Sequence, residues 1–357
     1  YWTRLGTAGA AAAILVSLAA GQLLTGIEPS IPRAAARTAL WLLLAGALSL
    51  SRGRLGTGAS RLLLGAMVLA DLTFAGSGLN PTLPRKILDE PSRLSESPPG
   101  GHRLYMPSDL EYEIKFGRVL RFDAFSPPGD WIAARESGIP NAAMLDGIAS
   151  ANNFDPLVPA RYTMWMEWLE DQPPDARERW LALMDVAWRA EAAPGQPSQA
   201  EYVSVASPGR ARIVGAAICL EASGDARTLL AAHDFDPARN VVLEGCLSDE
   251  GARIGGAGSA HLQPSANPNA VAIQVDAPDG GWLILSDTWY PGWEVEVDGA
   301  PARLYRADYV FRAVFVPPQT RSVGFRYRPW TFRVGAGLSL VAWMVLVAGA
   351  VRWRRRA

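Results

Sequence analysis

Residues Gly281–Pro329 read GWLILSDTWYPGWEVEVDGAPARLYRADYVFRAVFVPPQTRSVGFRYRP. Within this stretch Trp293, Val295 and Val297 alternate with Glu294, Glu296 and Asp298. A period of two places apolar side chains on one face of a strand and carboxylates on the other. Tyr290-Pro291-Gly292 precedes the strand as a turn, and Asp298-Gly299 follows it as a tight-hairpin dipeptide. Leu304–Arg306, Tyr309–Val316 and Ser322–Tyr327 read as further strands, with Pro317-Pro318 breaking the run. Upstream, Val271, Ile273 and Val275 alternate, and Trp282–Ser286 is a continuous apolar run. Short strands at this spacing, joined by turn residues, predict that 269–330 is part of a C-terminal antiparallel β-sandwich.

The sandwich hands the chain to the apolar segment Val334–Val351. Outward from there, Leu5–Ile27 is uncharged, and Thr38–Ser51 becomes long enough to span if its helix begins near Ala34. Leu62–Asn80 is a further candidate, interrupted by Asp71. Arg52, Arg54 and Arg61 lie between the second and third segments, and Arg352, Arg354, Arg355 and Arg356 follow the fourth. The positive-inside rule places both clusters in the cytoplasm. The expected architecture is therefore membrane α-helical plus α+β. Four transmembrane helices carry a large extracytoplasmic region that ends in the sandwich. The expected divisions are 1–79 (three membrane helices), 80–268 (mixed α/β), 269–330 (sandwich) and 331–357 (fourth helix and basic tail). Both termini face the cytoplasm of a bacterial inner membrane.

Between membrane and sandwich, Asn80–Gly101 is a Pro-rich linker and Arg103–Phe125 alternates weakly enough to hold two strands. Pro127–Pro140 reads as loop, and Asn141–Asp155 as loop with one short helical turn. Pro159–Asp171 and Asp175–Glu191 read as helices, the second capped by Asp175 with Trp180, Leu181, Leu183, Met184 and Trp188 as its stripe. Strands are expected at Tyr202–Ala206, Ala211–Leu220 and Asn240–Leu243, and a helix at Asp225–His233. Gly251–Pro268, rich in Gly, Ser and Ala, reads as a mobile loop.

The 357 residues are 49% hydrophobic and 19% charged with a formal net charge of -1, which gives no electrostatic reason to expect nucleic acid as a partner. The three histidines, His102, His233 and His261, are far apart, sit beside no carboxylate cluster and have no metal-ligand spacing. No phosphate loop, nucleophile elbow or cofactor motif is present, so no catalytic, cofactor or metal residue is assigned. Cys219 and Cys246 each end an expected strand; they form either a bridge or two buried thiols. Asp71 is the one acid well inside a membrane segment. It is either a proton, ion or substrate contact or a group at the outer interface. The aromatics Trp289, Tyr290, Trp293, Tyr305 and Tyr309, with Asp287, Arg306 and Arg312, make the candidate binding surface. Aromatic faces stack on sugar rings and arginines bond hydroxyls or phosphate; the alternatives are a sandwich core or a membrane-surface belt.

The run Ser286–Trp293, then Val297-Asp298-Gly299, then Tyr305–Val314 resembles the C-terminal end of the YfhO-type bacterial membrane proteins. Asp71-Leu72 with Asn80-Pro81-Thr82, Asn153–Leu157 with Arg161-Tyr162, and Phe235-Asp236-Pro237 with Val241–Glu244 fit the same pattern. Asp308 stands where that family tends to have Asn. The resemblance implies a likeness to GT-C glycosyltransferases, which use lipid-linked sugars. It also implies many N-terminal membrane helices that this sequence does not contain, so the chain reads as a tail piece or a shortened relative. In that architecture the catalytic acid lies in an early outer loop. Glu28 is the lone acid in the one such loop here, and no family motif surrounds it. The leading expectation is therefore a structural or accessory subunit that docks on other integral-membrane subunits. The alternatives are the tail of a glycosyltransferase taking lipid-linked sugar, and a carbohydrate-binding module on a membrane anchor.

Overall fold

The computed structural model describes residues 30–77, 84–92, 94, 102–119, 129–152, 155, 157–220, 225–232, 234–251 and 253–355. The chain divides into two compact units, Tyr1–Pro84 and Arg85–Ala357. In the first, a helical run covers Ser30–Gly76 and leaves helical geometry at Gly56 (φ 71°, ψ 163°), a setting that favours glycine. The expected second segment and most of the third fall in this run, and the Arg-bearing stretch between them contains the break at Gly56. The expected helix Leu5–Ile27 lies outside the described residues. Among the described residues, two helices are long and apolar enough to cross a membrane: Gly56–Gly76 and Trp330–Arg354.

Among its described residues the second unit holds fifteen strands: β1 (Arg103–Tyr105), β2 (Ala149–Ser150), β3 (Val186–Ala193), β4 (Gln196–Ser204), β5 (Ala211–Val214), β6 (Ala216–Leu220), β7 (Asn240–Glu244), β8 (Ser259–Gln263), β9 (Ala270–Ala277), β10 (Gly281–Leu285), β11 (Trp293–Val297), β12 (Ala300–Ala302), β13 (Tyr305–Ala307), β14 (Phe311–Val316) and β15 (Thr320–Tyr327). They form three sheets, in the orders β2-β1-β3-β4, β5-β10-β14-β13-β7-β6 and β12-β11-β15-β9-β8. The five-stranded sheet is antiparallel throughout. The six-stranded sheet is antiparallel except where β6 runs parallel to β7.

Strand β10 explains how the layers meet. All five of its residues are buried, as a continuous apolar run requires when both faces are covered. Leu283 and Leu285 join Val314 and Val316 in one core with Ile273, Val295, Val323 and Phe325 of the five-stranded sheet. Trp282 and Ile284 point the other way, into a core completed by Trp165 and Trp180. These two tryptophans come from the helices Ala160–Glu170 and Pro174–Leu183. The alternation read along β11 holds, with Val295 and Val297 buried; Trp293 is half-buried at the margin of the shared core.

Several local expectations are corrected. After β1 the chain turns helical at Ser108–Tyr112 and continues as a π-helix over Glu113–Val119. Met106, Leu110 and Ile114 fall four apart and are buried together, a helical spacing that the weak alternation concealed. Gly129–Glu136 is a helix in the expected loop, held by Arg135, whose guanidinium pairs with Asp146 at 2.6 Å. The expected helix Asp175–Glu191 ends at Leu183. Asp185 adopts φ 62°, and Val186–Ala193 is strand β3. Ala, Arg and Glu there favour helix, and pairing with β4 overrides that preference. The helix opens on Pro174 with no side-chain cap, so Asp175 does not cap it. The expected strand Ala211–Leu220 breaks at Gly215 into β5 and β6, at opposite edges of one sheet.

The Gly-rich stretch after Gly251 contains strand β8, and Gly255, Gly256 and Gly258 lie close against neighbouring chain. A Cβ on Gly255 would lie 2.4 Å from the Cα of Gly281. Its glycines therefore permit close backbone approach. Cys219 and Cys246 form a disulfide.

Candidate functional site

The candidate site is built around two places. One is the segment after β10 (Ser286–Trp289); the other is the hairpin between β13 and β14 (Asp308–Val310). The Trp289 N–H donates to the Val310 carbonyl at 2.7 Å, which ties the two together.

The hairpin is held in an unusual setting. Asp308 and Tyr309 both have positive φ, 43° and 72°, which costs non-glycine residues energy unless the surroundings fix them. Asp308 is fully buried, and its carboxylate is fixed on both oxygens. Oδ2 accepts from Arg212 Nη2 at 2.6 Å and Oδ1 from the Val242 N–H at 2.9 Å. The turn presents the Tyr309 ring between the guanidiniums of Arg161 and Arg227, 4.1 and 4.9 Å from its centroid. Arg161 also pairs with Glu244, and Glu244 pairs with Arg306 at 3.0 Å. Arg306 lies 4.2 Å over the ring of Trp289. The result is a ladder of alternating cations, rings and one shared carboxylate, with the arginines positioned by stacking.

Beside the ladder lies a buried charge cluster. Asp287, immediately beyond β10, accepts from Arg103 Nη2 at 2.7 Å and from Arg210 Nε and Nη2, each at 2.8 Å. Arg312 Nη1 stands 3.8 Å away. Burial alone would raise the pKa of Asp287. The Arg210 hydrogen bonds and the charges of Arg103, Arg210 and Arg312 outweigh it and hold the group at about 2. Burial lowers Arg312 to about 10, against the pull of Asp287, and the other two arginines add to that lowering. Arg312 is roofed by Trp293, whose ring centroid is 3.7 Å from the guanidinium carbon. Next to the cluster, His102 Nδ1 lies 2.6 Å from Asp185 Oδ1, which Ser207 Oγ also bonds at 2.9 Å. The fold thus sets one carboxylate beside His102, from 83 residues away in the chain. Serine and histidine both bond the aspartate rather than each other, so the trio is not a nucleophile–base relay.

Arg103, Tyr162 and Thr288 also line a cavity of about 350 Å³, with Met184 and Phe311 among its apolar walls. Hydroxyls, a guanidinium and an apolar floor suit recognition of a small polar molecule. Among the described residues no three His, Cys, Asp or Glu side chains are placed to hold a metal ion.

Of the nine candidates, Asp287 and Arg312 meet in the buried cluster with Trp293 over Arg312, and Trp289, Arg306 and Tyr309 meet in the ladder. Tyr305 turns away: it is 4% exposed, packs against Trp282, and donates its hydroxyl to Glu250 Oε1 at 2.7 Å. Tyr290 is exposed and stands apart. Asp71 belongs to the other unit. The sequence reading missed Arg103, Arg210 and Arg227, which lie far from the block in sequence. Arg161 and Glu244 fell inside stretches already singled out, and the structure brings them against Tyr309 and Arg306. No protein-family model matches the chain, and no curated protein or solved structure matches it either.

Proposed function

We propose that this chain is a membrane-anchored, outward-facing domain that works by contact, as a structural or accessory subunit docked on a larger integral-membrane complex. The observation that carries this reading is the helix Trp330–Arg354. It is 25 residues long and apolar, and no residue of it is buried by the rest of the chain. A helix of that length covers the ~30 Å of a bilayer's hydrocarbon core, and lipid or partner helices are what would cover its side chains. Arg352 and Arg354 at its far end suit a cytoplasmic exit. The Cys219–Cys246 bridge suits an oxidising compartment for the sheets. In this reading the chain crosses the membrane four times with both termini inside, and the two larger sheets form a β-sandwich outside. The carboxylates of Asp287, Asp308 and Glu244 are engaged by arginines, which favours recognition over acid–base chemistry there.

A second reading, the tail of a glycosyltransferase resembling YfhO-type and GT-C proteins, has one observation in its favour. Ser286–Trp293, Tyr305–Val314, Arg161-Tyr162 and Val241–Glu244 carry the resemblance and converge on one end of the six-stranded sheet, beside a cavity large enough for a sugar ring.

Purification in mild detergent separates the two. The contact reading expects the chain in a complex larger than itself, with no transfer from polyprenyl-phosphate sugars to an acceptor above background. An isolated chain that turns such a donor over, and loses the activity in Asp71→Asn, would overturn it.

A further inference from the structure

The end of the sheets from which the C-terminal helix leaves has a definite composition and geometry. Strand β15 ends at Tyr327 and the helix begins at Trp330, so Arg328 and Pro329 are the whole connection. Two residues reach at most ~7 Å. The Arg328 N–H donates to the Gly292 carbonyl at 2.7 Å, and a Cβ on Gly292 would come within 3.0 Å of Pro329. The turn Tyr290-Pro291-Gly292 is thus seated on the connection itself. Because Trp293 pairs with Tyr327 and Val297 with Val323, β11 runs from this end to the opposite one. Ala300, opposite Val297, therefore lies ~14 Å farther from the helix start. No residue of the helix is buried, so it does not fold back along the sheets. At the tip, Tyr290 is 49% and Trp330 71% exposed, and the Tyr290 ring has no aromatic or hydrogen-bonding partner among the described residues.

We infer that the Tyr290-Pro291 tip rests in the headgroup layer of the bilayer, so that the domain stands on the membrane at this end of its sheets. This rests on the anchor reading above. The chemistry matches: tyrosine and tryptophan prefer the interface because the ring is apolar and the hydroxyl or indole N–H stays hydrated. Arg328 is 45% exposed at its side chain; its Nη1 stands 3.7 Å from Glu294 Oε2, and the guanidinium's other N–H groups can serve phosphate oxygens. One consequence follows for the candidate site. Trp289, which stacks under Arg306, precedes Tyr290 directly, so the arginine–tyrosine ladder opens close to the lipid surface.

The test uses the full chain in liposomes with an environment-sensitive dye on single introduced cysteines, the native pair being bridged. The probes are Tyr290→Cys, Pro291→Cys, Ala300→Cys and Trp343→Cys. Nitroxide on lipid headgroups is expected to at least halve emission at 290 and 291 and leave 300 unchanged. Nitroxide deep in the acyl chains is expected to quench 343. Quenching at 343 without quenching at 290 and 291 would overturn this inference and leave the anchor standing. Equal headgroup quenching at 300 and 290 would also overturn it. Absence of quenching at 343 would overturn the anchor reading, and this inference with it.

Discussion

Asp287 shows how single residues hold this molecule together. Three arginines converge on one nearly buried carboxylate, so removing the carboxylate leaves cations without compensation. Asp287→Asn should cost roughly 3–5 kcal/mol, read as a lowered midpoint of denaturant unfolding in detergent. The pH dependence has a definite sign. The folded-state pKa of about 2 lies below the ordinary carboxylate value, so the stabilisation is complete above about pH 4 and disappears as pH falls toward 2. The shift corresponds to about 2–3 kcal/mol, and the Asn variant should lack that acid-sensitive step. Trp293 makes a complementary case. It is half-buried and roofs Arg312, so its truncation removes both packing and a cation–π contact. Trp293→Ala should cost about 3 kcal/mol and Trp293→Phe markedly less, by the same unfolding measurement.

At the scale of elements, β10 joins two cores through alternate residues. Leu283→Ala opens a void in the core shared by the sheets, and Ile284→Ala one in the core beneath the tryptophan helices. Each should cost about 2–5 kcal/mol, and because the two sit in different cores their effects should be nearly additive. A single coupled effect would mean that the cores are not separate. The disulfide closes a 27-residue separation, and its removal in a Cys219→Ser/Cys246→Ser variant should cost about 3–4 kcal/mol in the chain-entropy account. Strands β9 and β11 lie where their alternation put them, β14 and β15 coincide with most of the runs read as strands, and β10 lies where its apolar run did. Strand β3 was not, since VAWRAEAA has helix-favouring composition and only long-range pairing with β1 and β4 extends it. The packed glycines after Gly251 were misread because close backbone approach and flexibility call for the same residue. The candidate site was half legible. Its rings and Asp287 sit in one contiguous block, whereas Arg103, Arg210 and Arg227 reach it only through the topology, which no local pattern encodes.

For the whole molecule, the role of the sheets depends on where they stand relative to a membrane. The helix Trp330–Arg354 leaves the last strand after two residues and carries its arginines at the far end. If it crosses the bilayer, the two ends of that helix lie on opposite sides, with the sheets outside. The direct measurement is labelling of single introduced cysteines in intact cells with a membrane-impermeant thiol reagent. Gln263→Cys, exposed on β8, reports the sheets, and Arg355→Cys reports the end of the helix. Labelling at 263 in intact cells, with labelling at 355 only after permeabilisation, is the predicted result. The reverse pattern, or equal labelling at both positions in intact cells, would contradict an outward-facing domain anchored by this helix.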